Sequence, residues 1–137
     1  DVPGEELQKV TYRLIDPAQY SNQHVLVVGG GDSALEAANS IAAESGTTVT
    51  LSYRSGAFSR AKQKNREKTE AMSQAGRLRV LLHSNVIKIE AQSVIVDVNG
   101  ELHRIRNDAV IISAGGILPT TFLRSIGINV ETKWGTE

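Results

Sequence analysis

The residues with the clearest chemical content are Gly29-Gly30-Gly31-Asp32-Ser33-Ala34, which fit the spacing G-x-G-x-x-[GA]. Gly29 can take a strained backbone turn, and Gly31 carries no Cβ to block a closely approaching ligand. Ala34 is small enough for a following helix to lie close to a preceding strand. The N–H groups that open such a helix have no partner inside it and sit at the positive end of its dipole, so they suit a pyrophosphate. Asp32 reads as the cap of that helix, because its charge opposes direct phosphate contact. Three glycines could also do no more than connect strand to helix; what surrounds them decides between the two readings.

A second group of residues bears on which nucleotide such a turn would hold. NAD-binding sites place an acid about twenty residues beyond the glycines, where it accepts from the adenosine ribose hydroxyls. Residues 51–56 read Leu-Ser-Tyr-Arg-Ser-Gly and contain no acid. Arg54 stands where a guanidinium can meet a 2′-phosphate, with Ser55 and Arg60 near enough to add donors, and this favours NADP(H) over NAD(H). Arg54 is otherwise an exposed charge at a strand end. Tyr53 reads either as a half-buried strand residue or as a partner for the adenine, while Lys62, Lys64, Arg66 and Lys68 read as a solvated face.

The elements that must position these groups follow from apolar patterning. His24–Val28 is a β-branched run that stops at the glycines, as a strand buried on both faces does. Leu35, Ala38, Ile41 and Ala42 then recur at helical spacing, which predicts a helix from Asp32 to about Glu44, ended by Ser45-Gly46. Residues 49–53 form the next strand, so strand, glycine turn, helix and strand make a right-handed βαβ unit with parallel strands. Residues 60–68 alternate basic and polar residues without an apolar stripe and read as a loop. That loop enters a short helix over residues 69–74, which Gly76 can cap.

Residues 78–82 read as a third core strand. Residues 86–89, 94–98 and 102–105 read as short antiparallel strands, with Asn99-Gly100 as a hairpin turn. Residues 109–113 return to a fully apolar strand, followed by Gly115-Gly116, Pro119 and a short helix over residues 121–125. Residues 1–23 form an irregular lead-in with an extended piece at residues 10–14. The expected fold class is α/β: a Rossmann-like three-layer domain with a mainly parallel central sheet and an inserted antiparallel three-stranded β-meander.

Composition sets the bounds of these readings. The chain has 137 residues, 40% of them hydrophobic, which suits one globular domain. Fifteen basic residues balance fifteen acidic ones, so no net field attracts nucleic acid or an anionic membrane. Neither a long apolar span nor a signal-like start is present in the sequence, and the expected location is cytoplasmic. The absence of cysteine excludes disulfides and thiol nucleophiles in this chain, and His24, His83 and His103 are too scattered for a metal site. Without a Tyr-x-x-x-Lys pair or a grouped acid and base, no catalytic residue is assigned and a complete small dehydrogenase is disfavoured.

The sequence resembles the NADP(H)-binding domain of thioredoxin reductase-like, FAD-dependent pyridine nucleotide-disulfide oxidoreductases over nearly its whole length. The match rests on residues 29–38, Tyr53-Arg54 with Phe58, and Gly116-x-x-Pro119 followed by Phe122-Leu123. Members named for thioredoxin carry a Cys-x-x-Cys pair ahead of the glycine strand. Tyr12 and Ile15 stand at those positions here, a departure that argues against thioredoxin reduction. Val2-Pro3-Gly4-Glu5, Asp16-Pro17, Tyr20 and residues 53–56 look more like the cysteine-poor branch that includes bacillithiol disulfide reductase.

The resemblance implies a module that holds NADP(H) and passes hydride to FAD held elsewhere in the same parent chain, with a homodimeric parent compatible with it. It also implies that Glu36 lies on the nicotinamide side and Gly115 and Gly116 beside the nucleotide; Glu36 is otherwise an ordinary polar helix residue. The expected division is a lead-in from an absent FAD domain at residues 1–23, the nucleotide domain at 24–126, and a tail returning to the FAD domain at 127–137. A stand-alone NAD(P)-binding regulatory domain is the alternative.

Overall fold

A computed structural model describes residues 3–4, 6–12, 16–29, 31–44, 46–56 and 61–113. In chain order its elements are β1 (Val10–Thr11), a 3-10 turn (Pro17–Tyr20), β2 (His24–Val28), α1 (Asp32–Ala42), β3 (Thr48–Ser52), α2 (Gln63–Gln74) and β4 (Leu78–Leu81). They continue with β5 (Ser84–Ile89), β6 (Ser93–Val98), β7 (Glu101–Arg106) and β8 (Ala109–Ile112). Among the described residues, β1, β8, β2, β3 and β4 lie side by side in that order as one sheet, every neighbouring pair parallel. β5, β6 and β7 form a separate antiparallel sheet. Asn99 and Gly100, both at positive φ (53° and 90°), make the hairpin turn between β6 and β7.

Alternation along the central strands sorts their side chains into two cores. Val25, Val27, Val49, Leu51, Leu78, Ala109 and Ile111 face the helices, where Ala34, Leu35, Ala37, Ala38, Ile41 and Ala42 of α1 meet them. The run of alanines lets α1 lie close to the sheet. Leu26 and Val110 point the other way and pack with Val10 against Ile89, Val94 and Val96. The three layers are therefore helices, parallel sheet and meander. The meander covers the face that helices cover in doubly wound folds, which is why β2 and β8 at the centre of the parallel sheet are apolar on both sides, whereas β3 turns Thr50 and Ser52 to that face.

The structure corrects the reading of residues 60–68. Residues 63–68 are not loop: α2 begins at Gln63 and runs unbroken to Gln74. An apolar stripe is missing because this helix docks partly through polar groups. Ala61, Asn65 and Thr69 are buried and Met72 is partly buried, four positions at helical spacing. Asn39 on α1 donates through Nδ2 to Thr69 Oγ1 at 3.1 Å, so the contact between the helices has a hydrogen-bonded centre. Lys62, Lys64, Arg66 and Lys68 are exposed.

Of the extended piece expected at residues 10–14, Val10–Thr11 joins the edge of the sheet beside β8, and residues 13–14 lie outside the described residues. Lys9 holds this edge to the meander through the carbonyls of Ala91, Ser93 and Asn107, at 3.2 to 3.4 Å. Burial without a full counter-charge pushes the Lys9 ammonium below its ordinary pKa. The short helix expected at residues 121–125 lies outside the described residues.

Candidate functional site

β2 is the strand at which the connections change direction: α1 leads from it to β3 on one side, and β8 arrives on the other. Open parallel sheets bind ligands in the crevice beyond the carboxyl ends of the strands at such a switch point. The glycine turn occupies that position. Gly29 N–H donates to Ser52 O at 3.0 Å, and Ser113 N–H donates to Val28 O at 2.8 Å. The ends of β3, β2 and β8 are thus held together around the turn.

Gly29 has φ +139°, and a Cβ placed on it would lie 2.2 Å from Ser113 O and 3.1 Å from the Ala34 Cβ. No side chain fits between β8 and α1 at that point, and the positive φ is the strained turn expected of this glycine. Gly31 stands just ahead of α1 in extended conformation, and the first helical bond runs from Leu35 N–H to Gly31 O at 3.1 Å. The N–H groups of Asp32, Ser33 and Ala34 precede that bond and have no acceptor within the helix. Ser33 is exposed and Ala34 is fully buried.

Asp32 does not cap its own helix, contrary to the sequence reading; Gly31 is the cap residue and no side-chain bond closes that end. Asp32 Oδ1 instead accepts the backbone N–H of Lys62 and Nδ2 of Asn65, each at 2.8 Å. Lys62 is the residue ahead of α2, so the carboxylate sits at the positive end of the second helix. The Lys62 N–H and then the Asn65 amide hold the Asp32 carboxyl below its usual range. Asn65 also donates to Glu36 Oε2 at 3.1 Å, so one buried amide joins two carboxylates that are one helical turn apart.

Tyr53, Arg54 and Ser55 follow the end of β3, Tyr53 partly buried and the other two exposed. This stretch is fastened from below. Tyr53 N–H donates to Leu81 O at 2.9 Å, Ser84 N–H donates to Tyr53 O at 3.0 Å, and His83 N–H donates to Ser55 O at 3.1 Å. The His83 imidazole lies against Gly56, where an added Cβ would come within 2.7 Å of Nε2. Beneath them the hydroxyls of Ser52 and Ser84 form a buried pair at 2.6 Å, and Ser84 also donates to Leu81 O at 2.7 Å. Gly30, Arg60, Gly115 and Gly116 lie outside the described residues.

The structure therefore brings Gly29, Gly31, Asp32, Ser33 and Ala34 to one end of the sheet, joined through Ser52 to the stretch that bears Tyr53, Arg54 and Ser55. Glu36 stands one turn further along α1, exposed and turned towards Asn65. Asn65 is not among the residues the sequence singles out, and His83 enters there only as one of three scattered histidines. Asn65 is recoverable from its helical spacing with Ala61, Thr69 and Met72 once small polar residues are counted as core. Nothing local marks His83, because only the pairing of β4 beside β3 brings it to Gly56.

The profile of pyridine nucleotide-disulphide oxidoreductases matches residues 1–136. The chain belongs to this family. Among its family relatives, bacilliredoxin reductase Bdr of Bacillus subtilis is 32% identical over 136 residues, 98% of this chain and 42% of the relative. A ferredoxin–NADP reductase of Ignicoccus hospitalis is 32% identical over 139 residues, 96% of this chain and 44% of that one. In three dimensions the chain resembles bacillithiol disulfide reductase Bdr from Staphylococcus aureus, with TM-score 0.82, 31% identity, and coverage of 97% of this chain and 41% of that one. It also resembles Lactococcus lactis thioredoxin reductase, with TM-score 0.72, 27% identity, and coverage of 98% and 46%. The chain thus spans less than half the length of the relatives it matches.

Proposed function

We propose that this chain is the NADP(H)-binding module of an FAD-dependent reductase, with Gly29, Gly30, Gly31 and the opening N–H groups of α1 holding the pyrophosphate. The observation that carries the reading is Gly29: its positive φ and the 2.2 Å approach of Ser113 O leave a backbone-lined turn at the switch point of the sheet. Such a turn exposes donors and no side-chain bulk, which is what a diphosphate requires. Arg54 and Ser55, exposed beyond β3 with no acid among residues 51–56, are the groups for an adenosine 2′-phosphate, and Arg60 is proposed to join them. Tyr53 would flank the adenine, Glu36 the nicotinamide side, and Gly115 and Gly116 the nucleotide beside β8.

Bound NADP(H) supplies a hydride, for which the acceptor in this reading is a flavin held by residues outside this chain. The role of this chain's own residues is to bind and orient. The partner is an FAD-binding domain of the same parent, flanking the nucleotide domain of residues 24–126. The length of the relatives and the reductase names they bear support this reading. Titration calorimetry with NADPH and NADH tests it. Arg54→Ala should weaken NADPH by about 1 to 3 kcal/mol, the scale of a lost charged hydrogen bond, and leave NADH nearly unchanged. Equal losses for both nucleotides would remove Arg54 from the 2′-phosphate site, and failure of the unaltered chain to bind NADPH would refute the module itself.

A further inference from the structure

β4 runs parallel to β3, so its carboxyl end lies at the end of the sheet where the glycine turn stands. His83 follows there, between β4 and β5, with φ +52°. Positive φ is uncommon for a residue that carries a side chain, and here hydrogen bonds on both sides hold it. His83 N–H donates to Ser55 O at 3.1 Å, and Asn99 N–H donates to His83 O at 3.1 Å. The next residue, Ser84, donates its N–H to Tyr53 O at 3.0 Å. The His83 backbone is therefore fixed between the hairpin turn of the meander and the stretch that bears Arg54 and Ser55.

The place of its side chain is marked by Gly56. That residue is not among those with positive φ, so its backbone conformation does not call for glycine. What an added Cβ would meet is the imidazole, at 2.7 Å from Nε2 and 2.8 Å from Cε1. The bare Cα of Gly56 is thus the seat of the His83 ring. His83 is exposed, and its ring makes no hydrogen bond or ion pair with another described residue. An imidazole carries at least one N–H, so the ring presents an unspent donor beside Gly56. Successive Cα atoms stand about 3.8 Å apart, which puts this donor one residue from Ser55 and two from Arg54.

Resting on the NADP(H) reading above, we propose that His83 is a specificity-determining residue: its imidazole donates an N–H to the 2′-phosphate from the β4 side, while Arg54 and Ser55 hold that phosphate from the β3 side. The bond is charge-assisted and therefore stronger than one to the 2′-hydroxyl of NADH. Loss of the ring should lower the preference for NADPH, whereas contact with the adenine or a purely structural role would weaken both nucleotides alike or neither.

The test measures both dissociation constants by calorimetry for the unaltered chain and for His83→Ala, His83→Gln, Gly56→Ala and the Gly56→Ala/His83→Ala double variant, with circular dichroism to verify folding. His83→Ala should lower the NADPH to NADH affinity ratio about tenfold, the scale of one charge-assisted hydrogen bond. His83→Gln, which keeps an N–H near the place of Nε2, should restore most of the ratio. Gly56→Ala should lower the ratio about as far as His83→Ala, because its Cβ takes the seat of the ring. The double variant should then be no lower than either single one. Should Gly56→Ala fail to fold, His83→Ala and His83→Gln carry the comparison. A ratio unchanged in His83→Ala, one lost as fully in His83→Gln, or losses that add in the double variant would overturn the proposal while leaving NADPH binding through Arg54 in place. An unaltered chain that binds NADPH no better than NADH overturns the specificity reading on which it rests.

Discussion

Replacing Gly29 by alanine tests the site through its backbone. At φ +139° a side chain is strained, at a cost of about 1 to 3 kcal/mol for such a region. The new Cβ would also stand 2.2 Å from Ser113 O, a backbone atom of β8 that can yield only if the strand end shifts. Overpacking of this kind adds about 1 to 3 kcal/mol, so Gly29→Ala should lose roughly 2 to 6 kcal/mol in all. Gly76 is the internal control: its φ is +78° and nothing lies within 4 Å of an added Cβ, so Gly76→Ala should lose only about 1 to 2 kcal/mol. Urea unfolding followed by circular dichroism measures both, provided the denaturant slopes agree. Nucleotide binding adds a second readout, because displacing the turn should weaken NADPH and NADH by the same factor. Gly29→Ala no less stable than Gly76→Ala would refute the close approach, and with it the steric account of the turn.

Acid should expose the two carboxylates that are held low among the described residues. Asp32, bonded by the Lys62 N–H and the Asn65 amide, and Glu90, bonded by the Ser93 hydroxyl and flanked by Arg104 and Lys88, have folded pKa values below their unfolded ones. Their contribution is therefore present above the unfolded values of about 3.9 and 4.3 and is lost as pH falls through the lower folded values. The Asp32→Asn/Glu90→Gln double variant should show a shallower fall of stability across that window, and an unchanged slope in urea titrations would contradict the assignment. Between the helices, Thr69→Val removes the acceptor of Asn39 Nδ2, while Asn39 Oδ1 is already buried without a partner among the described residues. It should cost about 1 to 3 kcal/mol, and Asn39→Leu/Thr69→Val should cost less than that single change, because no buried donor is then orphaned. A double variant less stable than Thr69→Val would show that the pair contributes more than mutual satisfaction.

The parts of the molecule legible in the sequence are those where one local rule decides the outcome. The β-branched run of β2 ending at glycines, the alanine-rich face of α1 and the Asn-Gly turn of the meander each state their conformation within a few residues, and the structure has them there. α2 was less legible because its buried face includes Asn65 and Thr69. A pattern read from apolar residues sees only charge there and starts the helix late. Asp32 is illegible for a related reason: an acid after a glycine turn resembles a cap, but its partners are Lys62 and Asn65, 30 and 33 positions along the chain. Which layer covers the second face of the sheet was also beyond local patterning. Val94 and Val96 would bury against a helix as readily as against Leu26 and Val110, and only the long-range fold decides.

Backbone amide NMR during titration with NADPH tests the central claim most directly. The account predicts that the largest shifts fall on Gly29, Gly31, Asp32, Ser33 and Ala34, together with Arg54 and Ser55, and that NADH moves the first group with much smaller changes at Arg54 and Ser55. The opposite end of the sheet offers a distinct cavity of about 240 Å³ lined by His24, Thr48, Arg79 and Asn107. Shifts centred on that cavity, or none along the glycine turn, would contradict the account.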